Sequence, residues 1–421
     1  TYIAARAGKK DYDNIMFESK VTPGAPNAKL NLLNYDLTIF GVQEVALSDS
    51  QNVVVFPEGD RIILKKDRNF TFEGSIMAGR FDYYGKLFVF NYANFAIALN
   101  NVDSVRIWVD TPERDPRDPK GGFKQVKVRS VIENMNGELK VDNPANKSGL
   151  WTKKFANYPI FRSAKPAFVY YDRPTIHKGV YNRDKFYFKL DTFTIDSLDN
   201  FQNSALHFTG TFESAGIFPS IRDTLTLQPD YSLGFVRQAP PGGYPMYGGK
   251  AKFTNTMSLS NKGLHGEGQI DYITSTAISK DFIMFPDSVN GIAETFDIKE
   301  QNIKGKTEYP DVTAKKVYIH WMPKKDYMQA TNKDSAFVCY KGESKVKGTL
   351  TLGPKSLSAN GQMDFSNAEM LSKNMVMKHH NVDADTVDFN LKAAELASMA
   401  FQTKNFKAHI DFDKREGEFK A

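Results

Sequence analysis

Two pentapeptides, Gly268-Gln269-Ile270-Asp271-Tyr272 and Gly361-Gln362-Met363-Asp364-Phe365, decide how this sequence is interpreted. They are 93 residues apart, and the same offset matches residues 252–299 to residues 345–392 without a gap. Identical pairs along this register include Leu259/Leu352, Leu264/Leu357, Ser279/Ser372, Met284/Met377, Val289/Val382 and Phe296/Phe389. Chance does not produce a register of this length, so the sequence contains an internal repeat. We take Gly268, Asp271, Tyr272, Gly361, Asp364 and Phe365 as its scaffold positions.

Apolar and polar residues alternate through most of the chain, as in residues 124–129, 185–190 and 345–350. This period of two is typical of half-buried β-strands. Aromatic residues make up 13% of the 421 residues, which fits a pleated sheet better than a helical bundle. Each repeat unit has an apolar face that stacking against its neighbour would bury. The sequence therefore predicts an all-β fold: an elongated β-solenoid or β-groove repeat array with a β-rich N-terminal region.

Turn-rich stretches divide the chain into three predicted segments. Residues 1–115 form a β-rich region in which residues 79–83 (Gly-Arg-Phe-Asp-Tyr) indicate a degenerate copy of the repeat with an insertion. Residues 123–238 form a β-rich middle region, and residues 250–421 hold the two tandem repeats of about 93 residues. Proline and glycine are concentrated at both boundaries, where they favour loops.

Composition narrows the classes of function. The net charge of +6 is spread along the chain, which argues against a nucleic-acid partner. No run of eighteen apolar residues is present, so no transmembrane helix is expected in this segment. The single cysteine, Cys339, cannot form an internal disulfide and lies in a strand-like stretch, where we expect a buried thiol. Near absence of cysteine suits either a reducing cytosol or an exported bacterial protein that folds without disulfides.

The histidine pair His379-His380, followed by Asp383, Asp385 and Asp388, comes closest to a metal-ligand cluster. Neighbouring side chains on a strand point to opposite faces, so both histidines are not expected to reach one ion. The other repeat copy has Pro286-Asp287 in place of the pair, which favours a solvated turn. We therefore expect no catalytic residue, no cofactor and no metal site.

Asp followed by Ser or Thr and then a small or aliphatic residue occurs six times, against about one or two expected from composition. This pattern resembles the O-glycosylation acceptor motif of exported Bacteroidota-type proteins. The resemblance implies acceptor hydroxyls on Ser104, Ser197, Thr224, Ser288, Ser335 and Thr386. Strand-entry turns copied with the repeat explain the same pattern, because Asp and Ser favour turns.

The repeat motif, together with the closing stretch 401–413, resembles the large uncharacterised repeat-containing envelope proteins of Bacteroidota type. More distantly, it resembles the OstA-like β-groove domains of the lipopolysaccharide-transport family. The resemblance covers residues 250–421 and implies an extracytoplasmic location in the periplasm, outer membrane or cell surface. It also implies other envelope proteins as partners, with lipid or glycan as a further ligand class.

From these patterns we expect a non-catalytic structural or interaction segment of a larger exported cell-envelope protein. Two alternatives stay open: a β-groove that carries lipid or glycan, and a polysaccharide-active β-helix enzyme. A continuous apolar inner face would favour the groove. A cleft with two carboxylates about 5–10 Å apart would favour the enzyme.

Overall fold

The computed structural model describes residues 2–4, 14–48, 51–119, 121–146, 155–303, 307–393 and 399–421. Strands account for 63% of the chain and helix for 5%, which confirms the predicted all-β class. The chain forms two compact units. The first contains Thr1–Arg173, Phe186–Glu213 and Ile221–Phe235, and the second contains Pro174–Lys185, Ser214–Ser220 and Val236–Ala421.

The strands up to the start of the second unit's main sheet are β1 (Tyr2–Ala4), β2 (Asn14–Ser19), β3 (Ala28–Leu30), β4 (Leu37–Phe40), β5 (Val42–Ser48), β6 (Val53–Pro57), β7 (Arg61–Leu64), β8 (Phe70–Ala78), β9 (Phe81–Asn91), β10 (Ala96–Arg114), β11 (Phe123–Lys127), β12 (Ile132–Lys140), β13 (Ile160–Ser163), β14 (Ala167–Tyr170), β15 (Phe186–Leu190), β16 (Thr194–Ile195), β17 (Phe208–Ser214), β18 (Ile221–Leu227) and β19 (Leu233–Gln238).

The remaining strands are β20 (Tyr244–Met246), β21 (Ala251–Ser260), β22 (Gly263–Tyr272), β23 (Ser275–Met284), β24 (Val289–Ile298), β25 (Gln301–Ile303), β26 (Thr307–Tyr309), β27 (Val312–Met322), β28 (Tyr327–Cys339), β29 (Ser344–Leu352), β30 (Leu357–Phe365), β31 (Ala368–Met377), β32 (Asn381–Leu391), β33 (Phe401–Asp411) and β34 (Glu416–Lys420). Short 3-10 helices span Glu58–Asp60, Lys66–Arg68, Pro144–Asn146, His177–Gly179, Leu198–Asn200, Asn203–Ala205 and Tyr340–Gly342.

In the first unit, strands pair antiparallel in the order β1, β2, β5, β6, β8, β9, β10, β12, β14 and β15. Gly79, the glycine of the motif in residues 79–83, lies in the turn before β9. Gly268 and Gly361, by contrast, lie in the middle of strands. Two mid-strand glycines of the first unit, Gly74 and Gly85, face each other across β8 and β9.

The second unit is an antiparallel meander. Each strand from β20 to β24 pairs with the next, β24 pairs with β27, and the series continues to β34. Alternate residues of the long strands β21 to β24 and β27 to β32 are mostly buried, as Val317, Ile319 and Trp321 are in β27. The sheet therefore has one apolar face that forms the core and one solvated face.

Glycines in the middle of β22 and β30 lie opposite the places where the alternation of the next strand is interrupted. Gly268 and Gly361 have φ of +154° and +141°, where a residue with a side chain is strained. A Cβ at these glycines would lie 2.0 Å from the carbonyl oxygen of Thr254 and 2.1 Å from that of Lys347. Both glycines border a register shift in the pairing with the next strand. The extra residue of each β-bulge lies on that next strand, β23 or β31, where residues 280–281 and 373–374 are exposed one after the other. Both halves of β23 and β31 therefore keep their buried side chains on the core face.

The two repeat copies fold alike, strand by strand, with β21 to β24 corresponding to β29 to β32 at the offset of 93 residues. Tyr272 and Phe365 end β22 and β30. The carboxylate of Asp271 accepts a hydrogen bond from Gln269 at 2.8 Å, and that of Asp364 accepts one from Gln362 at 2.6 Å. Asp271 and Asp364 therefore lie in matching local environments.

The two copies also match in structure just before residue 252, where the matched sequence register begins. Tyr247 and Tyr340 both have positive φ, 47° and 52°. Their hydroxyls donate to the carbonyl oxygens of Ser288 at 3.3 Å and Asn381 at 3.1 Å. These four residues keep the offset of 93, so each copy starts with a tyrosine turn that closes over a later hairpin.

Replacing Gly361 with alanine should lower the free energy of unfolding by about 2–4 kcal/mol, because the new Cβ clashes with backbone at a positive φ. Gly353→Ala is the matched control, since its Cβ would have no neighbour closer than 3.6 Å. It should change stability by less than about 0.5 kcal/mol. Urea denaturation followed by circular dichroism measures both. Equal stability of the two variants would contradict the role assigned to the bulge.

Candidate functional site

The described part of the second unit contains an apolar cavity of about 700 Å³ beside its last strands. Five phenylalanines define this site, which we call the phenylalanine pocket: Phe365, Phe389, Phe401, Phe412 and Phe419. Its volume lies in the range of small-molecule and side-chain binding sites. Strands β30 and β32 to β34 and the turn after β33 supply these rings.

The rings form a connected cluster around Phe389. Its ring centroid is 4.2 Å from that of Phe419 and 6.3 Å from those of Phe365 and Phe401. Phe412 stands 6.1 Å from Phe365, edge to face. These are the separations at which aromatic pairs attract. Phe401 nevertheless remains 48% exposed, so the cluster is open to solvent.

The corresponding space of the first repeat copy is filled. Trp321 is fully buried, with its ring 5.2 Å from Tyr272 and 5.1 Å from Tyr247. Phe337 of β28 packs 6.3 Å from Phe296, and both are fully buried. Phe296 and Tyr272 are the counterparts of Phe389 and Phe365, which line the pocket. The two copies therefore differ in how their inner faces are covered.

Strand pairing identifies one cause of the difference. Val289 pairs with Trp321 in the first copy, and its counterpart Val382 pairs with Ile410 in the second. The strand after each copy is thus matched at an offset of 89 rather than 93. At this position an indole in the first copy is replaced by a smaller aliphatic side chain in the second.

The next strand adds a second cause. Met328, which pairs with Trp321, is fully buried. Gly417, which pairs with Ile410, stands at the matching place in β34 and has no side chain to fill the space. Both Ile410 and Gly417 line the pocket. The ring of Phe412, 4.1 Å from Tyr340 and 6.1 Å from Phe365, makes in the second copy the aromatic contacts that Trp321 makes in the first.

Charged groups surround the mouth of the pocket. Glu343, Asp411, Arg415 and Glu416 lie on its lining. The backbone amide of Lys414 donates a hydrogen bond to Asp411 at 2.9 Å, which lowers the pKa of that carboxyl. Asp411 therefore stays negatively charged at neutral pH. An apolar interior with a charged rim is the usual build of a peptide- or ligand-binding site.

His379 and His380 lie in the turn between β31 and β32, as expected, but the expectation that they face apart is wrong. Their ring centroids are 3.6 Å apart, because a turn does not impose the alternation of a strand. His379 Nε2 is 3.7 Å from Glu300, whereas His380 Nδ1 is 3.1 Å from Asp413. Each imidazole thus has its own carboxylate partner.

The three aspartates that follow this pair do not contact the two histidines in the described structure; two of them have partners elsewhere and one is exposed. Asp383 is 2.7 Å from Lys378 and 2.6 Å from His409. Burial raises the pKa of Asp383, but hydrogen bonds from these two partners outweigh it and lower the pKa overall. Asp385 is exposed, and Asp388 accepts a hydrogen bond from the backbone of β33. Within the described ranges, no three His, Cys, Asp or Glu side chains are placed to hold a metal ion.

The six predicted acceptor hydroxyls are distributed over both units. Ser335 and Thr386 are exposed, and the partly exposed ones are Ser104, Ser197, Thr224 and Ser288. Ser104, Ser335 and Thr386 lie beside register shifts in β10, β28 and β32. Ser288 alone precedes a strand directly, so most of these motifs are not strand-entry turns.

The phenylalanine pocket was not predicted from the sequence. One signal was available: the gapless register ends at Lys392, after which the second copy has a connection four residues shorter than the first. Only the strand pairing shows that Ile410 replaces Trp321. Cys339 is buried as expected, and burial raises the pKa of its thiol, with the charge of Asp311 adding to the effect.

Removing Phe296 should cost more stability than removing Phe389. Phe296→Ala opens a cavity in a closed core and should lose about 3–5 kcal/mol of unfolding free energy. Phe389→Ala enlarges a pocket that water already reaches, so its loss should be smaller by at least about 1 kcal/mol. Chemical denaturation of the two variants gives the comparison. A larger loss for Phe389→Ala would mean that the second copy is as closed as the first.

Comparison of the chain with family models, with curated proteins and with solved structures found no match. The described residues also include no helix with the length and hydropathy needed to span a bilayer. The function is therefore argued from the repeat and the pocket.

Proposed function

We propose that this chain is a structural and interaction segment of a larger exported cell-envelope protein, in which β-repeats act as a scaffold for partner proteins. The single observation that carries the proposal is that both copies expose a hydrophobic residue at the same position. Ile278 and its counterpart Leu371 are large hydrophobic residues on the solvated face, 41% and 54% exposed. A repeated exposed hydrophobic position favours a surface that contacts partners at regular intervals.

The remaining shared features support a scaffold role. Leu264 and Leu357 are both fully buried, and both copies keep the bulge glycine. By contrast, the histidine pair at 379–380 replaces Pro286-Asp287 of the first copy. Packing and bend positions are thus copied while the residues of this turn change. This is typical of repeats that lengthen a core by addition of similar units.

An exported location rests on the Asp-Ser/Thr motifs and remains part of the proposal. All six hydroxyls are at least partly exposed, so a glycosyltransferase would meet them on the folded surface. Thr386 and Ser335 offer the most open positions. The buried single thiol is compatible with folding in an oxidising compartment, since it has no disulfide to form.

The phenylalanine pocket favours one second candidate function, a groove that carries lipid. Its apolar lining suits an acyl chain better than a glycan, which needs polar partners and exposed stacking rings. Tyr83 and Tyr171 are fully buried, so neither ring is available to stack on a glycan.

Site-specific photo-crosslinking in the native host tests the scaffold proposal. A photo-reactive amino acid at Ile278 and one at Leu371 should each crosslink to the same envelope protein, because the two positions are equivalent. The control position is Lys355, an exposed residue in the turn between β29 and β30. Capture of different proteins at the two positions, or equal capture at all three, would contradict the proposal.

Intact mass of this 421-residue chain, expressed with an export signal in the native host and purified, tests the export proposal. Glycosylation should raise the mass above 47.5 kDa by sugar increments. Thr386→Ala and Ser335→Ala should each remove one increment, whereas an exposed threonine outside the motif, such as Thr22, should have no effect when replaced. A mass equal to that of the unmodified chain would overturn the assignment of these hydroxyls.

A further inference from the structure

We propose that residues 31–36 of the first unit, which we call the leucine loop, form a membrane anchor that inserts two leucines and a tyrosine into a bilayer containing anionic lipid. This inference goes beyond the proposed scaffold function and does not rest on it. It assigns a lipid surface to the first unit, through residues that take no part in the phenylalanine pocket.

The leucine loop connects β3 to β4 and presents large apolar side chains to solvent. Leu32 is 75% exposed, Leu33 is 94% exposed and Tyr35 is 66% exposed. Leu33 is the most exposed of the large hydrophobic residues within the described ranges. Leu30, at the end of β3, adds a fourth exposed side chain. Exposed hydrophobic residues are ordinarily scattered singly over a protein surface, so a group of four within six residues indicates a binding site.

The polar groups of the leucine loop fix its conformation. The side-chain oxygen of Asn31 accepts a hydrogen bond from the backbone amide of Leu33 at 2.9 Å, and that of Asn34 accepts one from Asp36 at 3.0 Å. The amide of Tyr35 donates to the carbonyl oxygen of Asn31 at 2.8 Å. Tyr35 also has φ of +61°, which is uncommon for a bulky residue. The exposed apolar side chains are thus carried by an ordered loop, which lowers the entropy cost of binding.

Positive charge lies beside the leucine loop. β4 pairs with β3 on one side and with β7 on the other, so the loop before β4 and the turn after β7 lie at the same end of these strands. An ion pair between Lys65 and Asp36 joins the turn to the loop. The exposed cations of β3 and the turn are Lys29, Lys65, Lys66 and Arg68. They outnumber the acids Asp36 and Asp67, so this end of the unit attracts anionic headgroups.

The size of the site favours a bilayer over a protein partner. A standard protein interface takes roughly 20–30 residues from each side. The leucine loop and the turn at residues 65–69 contain eleven residues together. A bilayer requires no matching shape, because apolar side chains enter the acyl region while cations stay among the headgroups. Tyr35 suits the boundary, since tyrosine has an apolar ring and a hydroxyl that remains hydrated.

Vesicle flotation with the full 421-residue chain tests the anchor. Vesicles of phosphatidylcholine mixed with phosphatidylglycerol should bind the protein. Leu32→Ser with Leu33→Ser should weaken this binding roughly tenfold or more, because the apolar area that leaves water is lost. Val236→Ser with Ile292→Ser is the matched control, since it removes two other exposed apolar side chains. This control should bind like the unaltered chain.

Charge reversal tests the contribution of the cations. Lys29→Glu with Lys66→Glu should weaken binding to the mixed vesicles roughly tenfold or more, and vesicles of phosphatidylcholine alone should then bind no less than the mixed ones. Lys315→Glu with Lys316→Glu changes the net charge equally at exposed positions of β27 and should keep binding. Circular dichroism should show the same strand content for all variants, because every replaced side chain is exposed.

Insertion has its own readout. Tryptophan placed at the tip by Leu33→Trp should keep vesicle binding, and its emission should shift to shorter wavelength on binding. Phosphatidylcholine with brominated acyl chains should quench this emission, because the indole lies among the chains. The unaltered chain, with its 3 tryptophans, is the reference for the change.

Four results would overturn the inference. The first is no binding of the unaltered chain to the mixed vesicles. The second is equal binding of the unaltered chain and the variant with serine at positions 32 and 33. The third is bound Leu33→Trp protein whose emission brominated chains do not quench. The fourth is capture of a protein by a photo-reactive amino acid at Leu33 without vesicle binding, which would assign the loop to a protein partner. The vesicle measurements contain no second protein, so their failure is distinct from failure of the scaffold proposal.

Discussion

The second unit depends on one interaction: aromatic side chains pack against the apolar face of a four-strand repeat and bury it. A single antiparallel sheet leaves its apolar face exposed unless something packs against it. In the first copy, Trp321 and Phe337 provide this cover from β27 and β28. The bulges of β23 and β31 contribute to this packing, because they keep both halves of these two strands facing the same core.

The second copy has the same apolar face as the first, but different side chains pack against it. Its strands, bulge and tyrosine turn match those of the first, so the same apolar surface is built again. Ile410 and Gly417 then stand where the larger side chains stood. Phe412 and Phe419 cover part of the surface, and the remainder is the phenylalanine pocket. The phenylalanine pocket thus lies where Ile410 and Gly417 replace larger side chains of the first copy.

The sequence was sufficient to predict the β class and the paired copies, because alternation and a constant offset are local properties of the chain. Gly268 and Gly361 could be assigned to bends on the same grounds. The pocket could not be predicted, since the replacement of Trp321 by Ile410 becomes visible only when strand pairing changes the offset. The orientation of His379 and His380 was mispredicted because it depends on a turn, whose geometry no periodicity describes.

Native-state hydrogen exchange tests the central claim most directly, by comparing the backbone amides of residues 312–317 in β27 with those of residues 401–406 in β33. Covered strands exchange only through large opening events, whereas uncovered edges exchange through local fluctuations. The amides of 312–317 that pair with β28 should be protected far more strongly than amides facing the same side in 401–406. Equal, strong protection of both stretches would show that the second copy is already covered and would contradict the account.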